Sequence, residues 1–170
     1  MKVVADSSAL IILARIHRFE LLRQLYGSMT ISADVYQEVV IHGAGLPGSK
    51  EVSEASWIQT SPPSNAADLA SACLRLGLGA GESSTILLAQ QLHADLVLID
   101  DLQGRKLARE AGLNVQGSVA LLESAFWKDF LPDLRQAFGD LLENSYIGRE
   151  ILNTRPAGSE PASLVTERGL

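Results

Sequence analysis

The run Asp95-Leu-Val-Leu-Ile-Asp100-Asp101 constrains this chain more than any other stretch. Its interior is apolar throughout, as a strand covered on both faces requires. Two carboxylates close it. Ahead of it stands an apolar helical run opened by a glycine cluster, Leu76-Gly-Leu-Gly-Ala-Gly-Glu82-Ser-Ser, and behind it comes Gly104-Arg105-Lys106-Leu-Ala108. Helical segments flanking a fully apolar strand point to an α/β chain with a parallel sheet.

The rest of the chain repeats that alternation. Lys2 to Ala5 is a short apolar strand ending at Asp6, and a helical pattern begins at Ala9 after Ser7 and Ser8. Phe19 to Leu25 suits a second short helix, closed by Gly27. Met29 to Ile31 is a strand, and Ser32 is placed to cap a helix over Ala33 to Ile41. Residues 42–50 are glycine-rich and read as a loop. A helical turn is expected over Glu51 to Ala55 and an edge strand over Trp57 to Thr60. Two prolines in Ser61 to Asn65 make that stretch a connector. Asn65 or Asp68 then caps a helix to about Leu76. Asn114 to Gln116 is the last strand, followed by helices over Val119 to Phe126 and Leu131 to Leu142. Pro132 is expected in the first turn of the latter. Ile147 to Leu152 adds a short helix. The expected organisation is one domain over residues 1–152 and a mobile tail over residues 153–170, where prolines, glycines and charges show no period.

Composition narrows the classes. A chain of 170 residues with 46% hydrophobic content can bury a full core. A net charge of −6 argues against a generally basic face for nucleic acid, and leaves room only for a local basic strip. No apolar run has the length of a membrane span, and the apolar part of the N-terminus is too short for a signal peptide. Cys73 is the only cysteine, so an intrachain disulfide is impossible. It sits among Leu69, Ala70, Ala72 and Leu76 and is expected in the core. A cytoplasmic location is the expectation. His17, His42 and His93 lack metal-ligand spacing.

In open α/β sheets, ligands gather outside the carboxyl ends of the strands. Asp6 and Asp100 each end a strand, and side-by-side strands bring them to one edge. Glu38 and Glu82 stand near the early parts of helices that can lean over that edge. Clustered carboxylates are costly, since two like charges 4 Å apart repel by roughly 4 kcal/mol at an effective dielectric near 20. They call for a cation, a basic partner or protonation. With magnesium, which prefers oxygen ligands and keeps waters, few side chains suffice. Metal held this way can activate water and relieve charge on a phosphodiester. Each acid also has a plainer use. Asp6 can cap the following helix, Glu38 can be a solvated helix acid, and Glu82 can answer the helix dipole. Asp100 and Asp101 can form an ordinary turn.

Four pieces in order, Val4-Ala-Asp6-Ser-Ser-Ala-Leu10, Val35-Tyr-Gln-Glu38-Val, Gly77-Leu-Gly-Ala-Gly-Glu82-Ser and Leu98-Ile-Asp100-Asp101-Leu-Gln-Gly104-Arg105, resemble a PIN-domain protein. The likeness is to the stand-alone prokaryotic, VapC-toxin-like branch (DUF3368-like). It spans about residues 2–125 and, more weakly, the helical segment to about 152. The resemblance implies a three-layer α/β/α sandwich with a central parallel sheet. It also implies metal-dependent endoribonuclease activity with Mg2+ or Mn2+, an RNA substrate, a homodimer, and a small antitoxin partner if the protein is a toxin. Carried over, the catalytic acids are Asp6, Glu38, Glu82 and Asp100. Asp6, Glu82 and Asp100 are the expected metal ligands, with Glu38 holding a second ion or the attacking water. Asp101 is a further metal candidate. Ser8, Arg105 and Lys106 are candidates for substrate phosphate. Where many relatives open the Glu38 helix with proline, Ala33 stands here. Two other functions share some of these features. A degenerate PIN module would bind RNA or a partner without cutting. A receiver-like phospho-acceptor domain also gathers acids around magnesium, but wants its acidic pair after the first strand, the reverse of the order here.

Overall fold

A computed structural model of the chain describes residues 1–62 and 65–144. Among these residues five strands form one parallel sheet in the order β3-β2-β1-β4-β5. The strands are β1 (Val3–Ala5), β2 (Met29–Ile31), β3 (Ile58–Thr60), β4 (Leu96–Leu98) and β5 (Val115–Gln116). The first crossover carries α1 (Ser7–Arg15) and α2 (Glu20–Tyr26), the latter stopped by Gly27 at φ 75°. Next comes α3 (Ala33–Tyr36), which runs on into a π-helical turn, Gln37–His42, and then α4 (Ser49–Glu54). Between β3 and β4 lie α5 (Ala66–Leu76) and α6 (Ala80–Leu92). Helix α7 (Leu102–Glu110) joins β4 to β5, and α8 (Ser118–Trp127) and α9 (Leu134–Asn144) close the described chain.

Every strand is three residues or shorter, so burial on both faces must fix it. Strand alternation does this. Val3, Ala5, Leu96 and Leu98 belong to one core with residues of α1, α2, α8 and α9. Val4, Val97 and Ile99 belong to a second core with Ile86, Leu88 and Ala89 of α6 and Ala108 of α7. Side chains that point alternately to opposite faces thus feed two cores, which gives the α/β/α sandwich.

The expected adjacency of β1 and β4 is present, with Val3 opposite Leu96, Val4 opposite Val97 and Ala5 opposite Leu98. From β1 the chain goes first to one side, through β2 and β3, and then returns to the other side at β4. The β1/β4 junction is therefore the switch point, where the carboxyl ends of the strands leave a crevice.

Local capping follows the sequence closely. Ser32 Oγ accepts from the Val35 N–H at 3.1 Å, and Asn65 Oδ1 from the Ala67 N–H at 2.8 Å. Two segments differ from expectation. The helix after Ser32 is α-helical for one turn only and then widens to the π form, with the Gly43 N–H bonded to the Glu38 carbonyl at 2.9 Å. The last helix starts at Leu134 rather than around Pro132, because Asp133 Oδ1 accepts from the Gln136 N–H at 2.9 Å and so caps it. The expected helix over Ile147 to Leu152 and the expected tail lie outside the described residues. No helix among the described residues is long and apolar enough to cross a membrane.

Candidate functional site

Asp6 ends β1 in extended backbone and caps α1, where its Oδ2 accepts from the Ser8 N–H at 3.3 Å and the Ser8 hydroxyl at 2.7 Å. The capping use and a site use are compatible, since capping occupies one oxygen only. The other, Oδ1, is buried and has no hydrogen-bond partner among the described residues. The residue is 1% exposed. Burial raises its pKa, opposed by the Ser8 and Ser7 hydrogen bonds and reinforced by the charge of Glu38.

A cavity of about 670 Å³ lies beside Asp6, walled by Asp6, Ser8, Asp34, Glu38, His42 and Glu82 among others. Glu38 arrives from the π-helical turn and Glu82 from the first turn of α6. The place a Cβ on Gly81 would occupy lies 2.6 Å from Glu38 Oε2 and 3.9 Å from Asp6 Oδ1, so the two carboxylates are neighbours. The Glu82 pKa is also raised, by burial first and then by the negative charges of Asp6 and Asp101. The structure thus brings Asp6, Glu38 and Glu82 to one cavity.

Asp100 is placed differently. In the sheet register Ala5 faces Leu98, so the alternation that sends Asp6 toward α6 sends Ile99 the same way and Asp100 to the opposite face. There its Oδ1 accepts from the Ser118 N–H at 2.6 Å at the start of α8, and its Oδ2 accepts from the Ser118 hydroxyl. It is 5% exposed. Burial raises its pKa, against the lowering effects of Ser118 and of the Arg105 charge. Gly117 lies against the same pair: a Cβ added there would meet Arg105 Nη1 and would sit 3.1 Å from Asp100 Oδ1.

The remaining sequence candidates divide in the same way. Ser8 is engaged with Asp6 and also accepts from the Asp100 N–H at 3.3 Å, which joins the two strand ends. Asp101 caps α7 through Oδ2, 2.6 Å from the Gly104 N, and its charge is felt at Glu82. Arg105 is half-buried beside Asp100, and burial lowers its pKa. Lys106 is exposed and pairs with Glu110 at 3.9 Å, on the outer face of α7. Sequence reasoning left out Asp34, Gln37, His42 and Gly81, all of which line the cavity. A helical signal was present for two of them, as Asp34 and His42 stand four residues either side of Glu38.

As the side chains stand, no three acidic, histidine or cysteine residues among the described residues converge closely enough to grip one ion directly. The donor set is still chemically suited to a divalent cation. Its acids are oxygen donors that repel one another, and one buried carboxylate oxygen lacks a partner among the described residues. Magnesium, which keeps several waters between itself and protein groups, suits that spacing.

The chain is thus an α/β/α sandwich with a carboxylate-lined cavity beside the end of β1. The sequence pattern of DUF3368, a family of PIN domains, matches residues 2–155, and the chain belongs to that family. PIN domains are in general a nuclease fold. No curated protein matches the sequence. Among solved structures, the chain is similar to a PilT N-terminus domain protein from the hyperthermophilic archaeon Sulfolobus solfataricus. The identity is 19%, over 74% of this chain and 93% of that one, with a TM-score of 0.47.

Proposed function

We propose that this chain is a metal-dependent endoribonuclease that hydrolyses RNA phosphodiester bonds at the cavity over Asp6. The observation that carries the reading is the buried Asp6 Oδ1, which has no hydrogen-bond partner among the described residues, in a residue that lines one cavity with Glu38 and Glu82. An uncompensated buried carboxylate oxygen is costly, and a cation with its waters is the partner such a site suits. Bound Mg2+ or Mn2+ would supply charge relief on the non-bridging oxygens and an acidified water.

The residues divide the remaining work. Asp6 and Glu82 would hold the cation. Glu38, exposed to solvent on the π-helical turn, would help to hold the metal and orient the attacking water. Asp100 anchors Ser118 and Arg105 behind the switch point, and through the Asp100 N–H and Ser8 it holds the end of β4 against Asp6. Ser8, Arg105 and Lys106 remain the proposed contacts for a substrate phosphate, with Arg105 beside Asp100 and Lys106 paired with Glu110. The likeness to VapC-type proteins extends the proposal to the toxin of a toxin–antitoxin pair, with a small antitoxin partner, a homodimeric state and a cytoplasmic setting.

Two observations favour a second reading, a PIN module that binds without cutting. Both oxygens of Asp100 are taken by Ser118, and among the described residues no three ligands converge. The experiment is single-turnover cleavage of a structured RNA with Mg2+ or Mn2+, with chelator as control, alongside a metal titration. Cleavage that needs the metal and falls by orders of magnitude in Asp6→Asn supports the nuclease. Absence of both metal binding and cleavage supports the binding module, and cleavage indifferent to chelator overturns the mechanism.

A further inference from the structure

We infer that Gly81 is the positioning residue for Glu38: the side chain that Gly81 lacks is the space that holds the Glu38 carboxylate beside Asp6. The inference deepens the nuclease reading and rests on it for its catalytic consequence, but not for its geometry. A Cβ on Gly81 would lie 2.6 Å from Glu38 Oε2, well inside the contact distance of about 3.5–4.0 Å between non-bonded atoms. No side chain fits at position 81 while Glu38 stays where it is.

Space is the reason for glycine here, since the backbone does not demand it. Gly81 is the second residue of α6, in ordinary helical backbone without a positive φ. Glycine is disfavoured against alanine in such a place. The backbone cannot easily retreat from an added methyl either. The Gly81 carbonyl accepts from Ser84 Oγ and Thr85 Oγ1, both at 2.8 Å. Ser84 Oγ also lies 2.7 Å from Ser32 Oγ, the group that caps α3, and α3 leads directly into the turn bearing Glu38. This buried serine pair ties the two helices, so the gap between Gly81 and Glu38 is set from both sides. The movable part is the exposed Glu38 side chain, which an added methyl would turn away from Asp6.

The test uses the full chain in four forms: wild type, Gly81→Ala, Glu38→Asp and the double variant. Three readouts apply: the metal-free crystal structure of Gly81→Ala, Mn2+ affinity by calorimetry, and thermal melting. Gly81→Ala is expected to melt at the same or a higher temperature, to show the Glu38 carboxylate displaced from Asp6, and to bind Mn2+ at least tenfold more weakly. In the Glu38→Asp background, where the carboxylate is one methylene shorter, Gly81→Ala should change Mn2+ affinity by less than twofold. A loss independent of the residue at 38, or a crystal structure with Glu38 in place, would overturn the inference. If wild type neither binds Mn2+ nor cleaves RNA, the nuclease reading fails, while the position of Glu38 in Gly81→Ala still decides the role of Gly81.

Discussion

The main-chain N–H of Asp100 donates to the hydroxyl oxygen of Ser8 at 3.3 Å, a bond between the ends of two different strands. The same hydroxyl donates to Asp6 Oδ2 at 2.7 Å. One small side chain therefore links the two strand-end acids at the switch point of the sheet, although those acids face opposite layers.

Removing that hydroxyl takes from Asp6 Oδ2 its short side-chain bond and leaves the longer main-chain bond from residue 8, in a buried position. Ser8→Ala is expected to lower stability by about 1–3 kcal/mol, the cost of a buried polar group losing its partner. The measurement is urea unfolding, where the midpoint should fall while the slope is kept. An unchanged midpoint would show that Ser8 does not hold the junction.

Ser118 plays the corresponding part on the other face. It supplies both its N–H and its hydroxyl to Asp100, so Ser118→Ala strands one buried carboxylate oxygen. A loss of about 1–3 kcal/mol is expected. Asp100→Asn removes the buried charge itself, and the amide can still accept from the Ser118 N–H while its NH2 faces the serine oxygen. Its fold should survive, and Ser118→Ala in that background should cost less than in wild type. Equal costs in both backgrounds would mean that the two groups are not coupled.

Gly43 closes the π-helical turn. Its N–H bonds the Glu38 carbonyl, and a Cβ there would run into the Val39 carbonyl oxygen. Because the obstacle is backbone, Gly43→Ala must shift the turn itself, with an expected loss of about 1–3 kcal/mol by thermal or urea melting. It should also weaken metal binding by moving Glu38. Stability equal to wild type would show that the turn adapts freely.

The order of strands and helices was legible because each apolar run stops at an acid, a glycine or a serine cap. Asp6, Ser32, Asn65 and Gly27 all act where the pattern put them. The π form was not legible, because it depends on how the turn after Glu38 closes on Gly43. The start of α9 had a signal, Asp133 followed three residues later by Gln136, but Pro132 draws attention first. That Asp6 and Asp100 face opposite layers needs the pairing of Ala5 with Leu98, and short strands do not reveal register in a single sequence. Gly81 was visible only as one member of a glycine cluster. Its purpose appears once Glu38 is seen in the space it leaves.

The last prediction concerns pH. The pKa of Asp6 is raised from 3.8 and that of Glu82 from 4.5, each chiefly by burial. A carboxyl with a higher pKa when folded binds its proton more tightly in the native state than in the unfolded chain. Stability from such groups is fully present below the unfolded values and is lost as pH rises through the folded ones. The chelated protein should therefore lose stability from this source as pH rises past 3.8 and 4.5 toward the raised values, and change no further above them. Asp6→Asn cannot ionise, so its melting temperature relative to wild type should increase across that window and then level off. Divalent ions favour the ionised carboxylates, so the stabilisation that Mn2+ gives wild type should grow with pH over the same window, and Asp6→Asn should show much less of it. The check is a series of melts of both proteins from acid to neutral pH, in chelator and in Mn2+. Parallel pH profiles for the two proteins in chelator would show that Asp6 does not carry the buried proton, and equal Mn2+ stabilisation would remove it from the metal site.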